Sequence, residues 1–374
     1  MQFISLQENL KRSLNIVGHA TSKNINLPIL NNILIRTENG NITLIATNLE
    51  IGVTNQLRGK VEKDGEFTVD SKLISEYVNL LSSGEKVLIE KDGNELKVES
   101  GKYKTKIKGE DTKEFPLIPS VIKDKPYSCK ADKLKEALNS VIFAVSNSEN
   151  RVELGGVLFS FSGKKLSLAA TDSYRLAESI IDISSDNEDE EKKVIVPAKT
   201  AAELLRIINS VDPAAFNDSG EVKICLSDNQ ILFSVDSTDL VSRLINGHYP
   251  DYKQIIPNHS QTKVKVDKGE LLRAAKATAL FSKAGVNDIT LCFVKGRVTV
   301  SAYSGASGES QADVEAEIEG DDNEVTINYR YLIDGLNNIS GEIACLELIN
   351  NNSPCLLKSI EDNGYLYIVM PIKQ

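Results

Sequence analysis

The sequence predicts an α+β chain of three tandem copies of one domain, each with antiparallel sheet and two helices. Three segments read alike: NITLIATNLE from Asn41, KLSLAATDSY from Lys165 and RVTVSAYSGA from Arg297. Aligning Ala46, Ala170 and Ala302 sets the copies 124 and 132 residues apart. Each segment alternates apolar and polar residues, as a half-buried strand does. The flanking segments recur in the same order, which a chance match would not do. With 374 residues, 41% hydrophobic and 26% charged, the chain has enough apolar material for three cores. Repeats this long are domains and not the turns of a solenoid.

The first copy opens on a helix, LQENLKRSLNIV from Leu6, whose Leu10, Leu14 and Val17 recur at three and four residues and share one face. The strand NITLIATNLE follows. FTVDSKLISEYVNLL from Phe67 is then a strand running directly into a second helix. FPLIPSVIKDKP (Phe115 to Pro126) is Pro-rich, lacks helical spacing and reads as a linker. The second copy repeats the series. Its first helix, ADKLKEALNSVIFAV from Ala131, places Leu134, Leu138, Val141 and Val145 on one face, and KLSLAATDSY and VIVPAKTAAELLRII from Val194 follow. After the linker YPDYKQIIPNHS (Tyr249 to Ser260), the third copy supplies DKGELLRAAKATALF from Asp267, RVTVSAYSGA, and VTINYRYLIDGLNNI from Val325. The domains are therefore set at 1–122, 123–257 and 258–374.

Lys+Arg 43 against Asp+Glu 53 gives a net charge of -10, which argues against a surface that coats nucleic acid throughout. The six helical stretches nevertheless hold twelve Lys/Arg and eight Asp/Glu, a net +4, leaving -14 for the remainder. Equivalent domains that turn their helices to one side would present that side to phosphates without reading sequence. Three units joined head to tail form an arc, and two chains would supply six.

No apolar stretch approaches the ~20 residues of a membrane helix. The longest are Val141 to Val145 and the Pro-interrupted Tyr365 to Ile372. Glu8, Lys11 and Arg12 interrupt the start where a secretory segment would be apolar, so a cytoplasmic protein without membrane contact is expected. The five cysteines, Cys129, Cys225, Cys292, Cys345 and Cys355, lie far apart without a CxxC pair, which predicts free thiols, no disulfide framework and no zinc site. No GxxxxGK[ST], GxSxG or HExxH occurs, and His19, His248 and His259 sit in unrelated segments, so neither a catalytic site nor a cofactor is expected. Asp172 and Arg175, three residues apart, read as a structural pair or cap at a strand end. The acidic run SSDNEDEEKK (Ser184 to Lys193) lacks the glycines and ligand spacing of a cation loop, and its Asp186 to Glu191 read as a solvated hairpin loop.

Seven segments, LPILNNILI from Leu27, ITLIATNLE from Ile42, LGGVLF from Leu154, LAATDSYRLA from Leu168, VIVPAK from Val194, YPDYKQIIP from Tyr249 and the terminal YIVMPIKQ from Tyr367, resemble in order those of the bacterial sliding clamp family. This is the beta subunit of the replicative DNA polymerase III holoenzyme, and the resemblance covers the whole chain. It implies clamp-type domains assembling head to tail into a six-domain ring of two chains, with helices inside around duplex DNA and antiparallel sheets outside. It implies a non-enzymatic processivity factor that tethers the replicative polymerase, and an ATP-driven clamp loader as partner. By position, Lys11, Arg12, Lys72, Lys133, Lys135, Lys199, Arg206, Arg273, Lys276 and Arg330 are then candidates for the inner, DNA-facing surface.

In this family the polymerase, the loader and other clamp-binding-motif proteins dock a linear peptide in a groove between the second and third domains. The matching positions are Leu154, Thr171, Ser173, Tyr174, Arg175, Leu176, Pro250, Ile255, Asn328, Tyr331, Ser353, Pro354, Val369, Met370, Pro371 and Ile372. Such a groove needs apolar walls and a few oriented polar groups, and the set supplies both. Ser173 and Tyr174 stand where Gly-His or Ser-His is frequent, and Lys373 and Gln374 where arginine and a hydrophobe are, so an altered peptide preference is expected. At the chain-to-chain contact Leu280 and Phe281 match apolar interface positions. The partnering strand GKYKTKIKG offers Thr105 and Ile107 where bulkier apolar residues are frequent. Its lysines, facing an acidic edge, are expected to carry more of the closure and to make it salt-sensitive. The alternative reading is a repeat scaffold that docks linear peptides without binding DNA.

Overall fold

The computed structural model describes residues 1–22, 26–119, 121–185, 191–211, 220–362 and 364–373. Of the predicted acidic loop, residues 186–190 lie outside this set, as does Gln374 of the tail. Six α-helices occur among the described residues: α1 (Gln7–Gly18), α2 (Ser71–Asn79), α3 (Ala131–Ile142), α4 (Ala198–Ser210), α5 (Lys268–Ala279) and α6 (Tyr329–Asn338). They lie in the six stretches the periodicity marks. Asp70, Asp267 and Asn328 stand just before α2, α5 and α6, and their side chains accept the N–H of Leu73 (2.7 Å), Glu270 (2.7 Å) and Arg330 (2.9 Å). Each satisfies a helix donor that has no intrahelical partner. The apolar face of α1 is fully buried at Leu10, Leu14 and Val17, each contributing about 1.5–3 kcal/mol by leaving water.

The periodicity does not reveal a short strand that precedes the first helix of each copy: Gln2–Leu6, Tyr127–Lys130 and Thr262–Asp267. The second linker contains a single 3-10 turn, Tyr252–Ile255.

The chain forms two compact units, one from Met1–Asp132, Ile183–Glu188 and Lys199–Leu244, the other from Lys133–Asp182, Asp189–Ala198 and Ile245–Gln374. The sheets explain why the division ignores the repeat boundaries. In the first unit an eight-stranded sheet places Thr238–Arg243 of the second copy beside Ile51–Leu57 of the first. A five-stranded sheet in that unit ends on Tyr103–Lys108 as an edge strand. In the second unit a twelve-stranded sheet places Arg175–Asp182 of the second copy beside Tyr365–Val369 of the third.

The two junctions share one register. Ala46 lies opposite Val53, and Val53 opposite Leu240; Ala170 lies opposite Ala177, and Ala177 opposite Tyr367. In the third copy Ala302 lies opposite Ser310, but the outer edge of residues 308–315 has no strand beside it among the described residues.

Candidate functional site

The site begins at the turn between the strands Lys165–Thr171 and Arg175–Asp182. Thr171 Oγ1 donates to the Arg175 carbonyl (2.6 Å) and accepts the Ser173 N–H (3.1 Å), while Asp172 Oδ1 accepts the N–H groups of Tyr174 (2.9 Å) and Arg175 (3.0 Å). These bonds hold Ser173 at φ +80, in the left-handed region that a serine rarely adopts. Ser173 Oγ in turn accepts from Arg151 Nη1 at 2.9 Å. Tyr174 is left exposed beside it.

Arg175 closes the turn. Its Nε meets Asp172 Oδ2 at 2.9 Å, its Nη1 meets Asp334 Oδ2 of α6 at 2.5 Å, and its Nη2 donates to the Phe143 carbonyl beyond α3 at 2.7 Å. The guanidinium also lies 4.7 Å from the Tyr331 ring centroid and 5.4 Å from that of Phe143. Burial opposes its charge, but Tyr367, Asp334 and Asp172 outweigh that and hold its pKa above the ordinary arginine value. The Asp172–Arg175 pair is thus the structural cap its spacing indicates.

Below the turn, Leu154, Leu158, Leu176, Ile195, Tyr249, Tyr252, Leu356 and Ile368 form one buried apolar cluster, with Met370 packed against it. Sheet register explains the grouping, since Leu176 and Leu356 both lie opposite Ile368 on neighbouring strands. The tail is pinned across the site: the Met370 N–H donates to the Tyr174 carbonyl and the Ile372 N–H to that of Thr326, both at 2.8 Å. Pro371 and Ile372 stay half-buried. Cys355 lies opposite Val369, so the half-buried Ser353 and Pro354 enter the site at the end of that strand. Pro250 and the more exposed Ile255 flank Tyr252 on the segment that covers the cluster. Asn328 is spent on capping α6, and Ser353 Oγ on Asn350 at 2.9 Å. Arg151, Phe143 and Asp334 belong to this arrangement but escape sequence reading, because their partners lie 22 to 159 residues away. A cavity of about 660 Å³ lined by His19, Asn31 and Asp70 between α1 and α2 contains none of the groove residues.

All ten DNA-facing candidates lie on the six helices. Several already hold a carboxylate: Lys72 with Glu76 (3.7 Å), Lys133 with Glu136 (2.8 Å), Lys199 with Glu50 (3.9 Å) and Arg273 with Glu270 (3.8 Å). Arg330 stacks on its neighbour Tyr329 at 5.8 Å. Lys11, Lys135 and Lys276 have no ion pair among the described residues, and neither has Arg12. Arg206 departs from the expectation of a free surface charge. Its guanidinium binds Glu203 and donates to the carbonyls of Asn15 and Ile16 near the end of α1, so it is spent on joining α4 to α1.

Of the expected interface residues, Leu280 is 77% exposed and Phe281 half-buried. Thr105 is half-buried, whereas Ile107 turns into the core of its own unit and is not a surface group. Tyr103 on the same edge strand, 45% exposed, and Tyr303, 71% exposed, are the larger apolar surfaces nearby in sequence. The five cysteines are free, and burial pushes the Cys129 and Cys355 thiols up to about 12.

Sequence profiles of the DNA polymerase III beta subunit match the chain three times: the N-terminal domain over residues 1–119, the central domain over 128–251 and the C-terminal domain over 253–373. The beta sliding clamp of Synechococcus elongatus is 30% identical over 380 residues, covering 100% of this chain and 99% of its own. That of Haemophilus influenzae is 26% identical over 375 residues and the whole of both chains. Among solved structures, the sliding clamp of Pseudomonas aeruginosa bound to griselimycin superposes over the whole of both chains with TM-score 0.93 at 26% identity. A DNA polymerase III beta subunit assigned in Eubacterium rectale gives 0.91 at 29%, again over both whole chains. With three tandem clamp domains spanning its length, the chain belongs to the DNA polymerase III beta subunit family, the beta sliding clamps, accessory processivity factors and not catalytic subunits.

Proposed function

We propose that two copies of this chain close head to tail into a six-domain ring around duplex DNA. The ring tethers the replicative polymerase, and is opened by a clamp loader, through peptides docked at the Thr171–Arg175 turn and the Met370 tail. The three domains are 1–122, 123–257 and 258–374, and the setting is the cytoplasm. The observation that carries the closure is the third, unfilled junction.

Leu240, Tyr367 and Thr105 are equivalent positions: reading across each sheet, they line up with Phe233, Ile224 and Tyr127; with Leu357, Leu346 and Val264; and with Val98, Ile89 and Phe3. Leu240 pairs with Val53 and Tyr367 with Ala177, so the same register sets Thr105 of one copy opposite Ser310 of the next. Antiparallel pairing then puts Lys106 opposite Glu309 and Lys104 opposite Gln311, with Lys104 diagonal to both Glu309 and Asp313. The faces agree as well: Ile107 and Val314 both point to their cores, and the lysines and acids point away. The apolar groups agree too. Phe143, Tyr331 and Tyr367 gather around Arg175 at a filled junction, with the rings of Phe143 and Tyr367 5.5 Å apart. The equivalent helix positions, Leu280 and Leu73, are exposed at 77% and 51%.

This closure is tested by sedimentation velocity. The wild-type chain is expected to run as a dimer at low salt and to dissociate as salt screens the lysine and acid rows. Lys104→Glu with Lys106→Glu is expected to leave monomers. Mixing that variant with Glu309→Lys/Asp313→Lys is expected to restore the dimer, since one seam then carries both reversals and the other is wild type. A doubly reversed variant as dimeric as the wild type would overturn the register.

A further inference from the structure

The Pro250 side of the groove does not end at Pro250. The segment 247–253 crosses the face of the sheet formed by the strands Gly156–Ser162 and Lys192–Pro197 and encloses a cavity of about 560 Å³. We propose that this cavity is an extension of the peptide groove, one that takes a carboxylate-bearing residue flanking the docked apolar anchor. The inference rests on the groove reading above.

The register fixes the cavity's composition. Leu158 lies opposite Ile195 and Ser160 opposite Lys193, so these four share one sheet face, and Tyr249 and Tyr252 close over it. The floor is continuous with the groove, since Leu158, Ile195, Tyr249 and Tyr252 belong to the apolar cluster that also holds Leu154, Leu176 and Met370. Pro250 borders both, so a chain lying in the groove reaches the cavity within a few residues, at roughly 3.3 Å per extended residue. Tyr252 cannot swing away to close the space, because its hydroxyl is donated to the buried Glu178 carboxylate.

The rim is cationic. Lys193 and Lys253 stand at it with His248, and Asp251 is the one carboxylate among the lining residues. Asp251 already accepts a hydrogen bond from Gln254 at 2.9 Å. The molecule itself shows what this rim accepts: Glu191, from the chain outside the cavity, sits on Lys193 at 2.9 Å. Lys193, aided by the Lys253 charge, holds the Glu191 carboxyl below its usual pKa. A peptide carboxylate arriving over Pro250 would take the place of Glu191, exchanging one ion pair for another while its stem covers the apolar floor. Discrimination therefore comes from the pair of lysines, and Glu191 acts as a built-in competitor.

The test is fluorescence anisotropy with five labelled forms of a polymerase-type clamp-binding peptide: the short peptide, and versions lengthened at either end by three residues that are acidic or neutral. At one end the acidic flank is expected to bind about threefold tighter than the neutral flank, the scale of one or two half-exposed ion pairs. In Lys193→Ala/Lys253→Ala that ratio is expected to fall to one, and in Glu191→Gln to rise. Equal binding of acidic and neutral flanks at both ends, or a ratio that survives loss of the two lysines, overturns the inference alone. Failure of the short peptide itself to bind overturns the groove reading and this inference with it.

Discussion

Arg175 and Ile51 follow two turns of the same construction, and the comparison isolates what the arginine adds. In the first copy Thr47 Oγ1 donates to the Ile51 carbonyl (2.7 Å) and accepts the Leu49 N–H (3.1 Å), Asn48 takes the place of Asp172, and Leu49 stands at φ +74 as Ser173 does at +80. The turn is therefore shared by the first two copies, and the second becomes distinct through the guanidinium. Arg175 is a positioning residue that ties the end of α3, the turn and α6 together through three hydrogen-bonded partners and two rings. Lysine keeps the charge but not the planar fork, so Arg175→Lys is expected to lose about 1–3 kcal/mol of unfolding free energy. Urea denaturation measures that loss. A structural role alone would stop there; positioning the groove predicts that the folded variant also binds the clamp-binding peptide more weakly. Unchanged peptide affinity in the folded variant would confine Arg175 to stability. At this scale the sequence shows the Asp172–Arg175 cap, because the partners are three residues apart. It does not show that Arg206 is bound to the end of α1, because the carbonyls it meets lie 191 and 190 residues away.

The elements follow the sequence where a period has room to repeat. Each amphipathic helix runs at least nine residues, long enough for three- and four-residue spacings to recur. Tyr127–Lys130 has four residues and Gln2–Leu6 five, too few for alternation to stand out beside a helix. Nor does alternation say that a strand of one copy will join the sheet of the next, since that is decided by partners far along the chain. At α6 one residue links helix and sheet. A Cβ at Gly335 would fall 2.4 Å from two ring carbons of Tyr367, whose hydroxyl donates to the Tyr331 carbonyl at 3.0 Å. Alanine favours a helix interior by about 1 kcal/mol over glycine, but a clash with a fully buried ring costs about 1–3 kcal/mol. Tyr367 is tethered by its hydroxyl and packed on Phe143, so the steric effect wins. Gly335→Ala is expected to lower the urea midpoint. A raised midpoint would mean that Tyr367 can move, and that the α6 side of the groove is softer than its packing indicates.

Across the whole molecule, the proposed ring divides the work of staying on DNA between charge and closure. A net charge of -10 with only +4 on the helical stretches cannot hold a duplex by counterion release alone. Among the ten helix candidates, four share their charge with a carboxylate and Arg206 is committed inside its unit. Contact is therefore weak, and in the proposed ring retention comes from topology. Loaded by a clamp loader and ATP on a nicked circular duplex, the protein is expected to persist far longer than on a linear duplex of equal length, and to be released when the circle is cut. The same division separates two variants. Lys276→Glu on α5 removes an unpaired cation from the helix surface and is expected to shorten the lifetime on the circle only a few-fold. Lys104→Glu/Lys106→Glu, which touches no helix, is expected to abolish retention on the circle because the ring no longer closes. If Lys276→Glu proves the more damaging, contact energy outweighs closure. If circles and linear duplexes release wild-type protein equally fast, the chain docks peptides without encircling DNA.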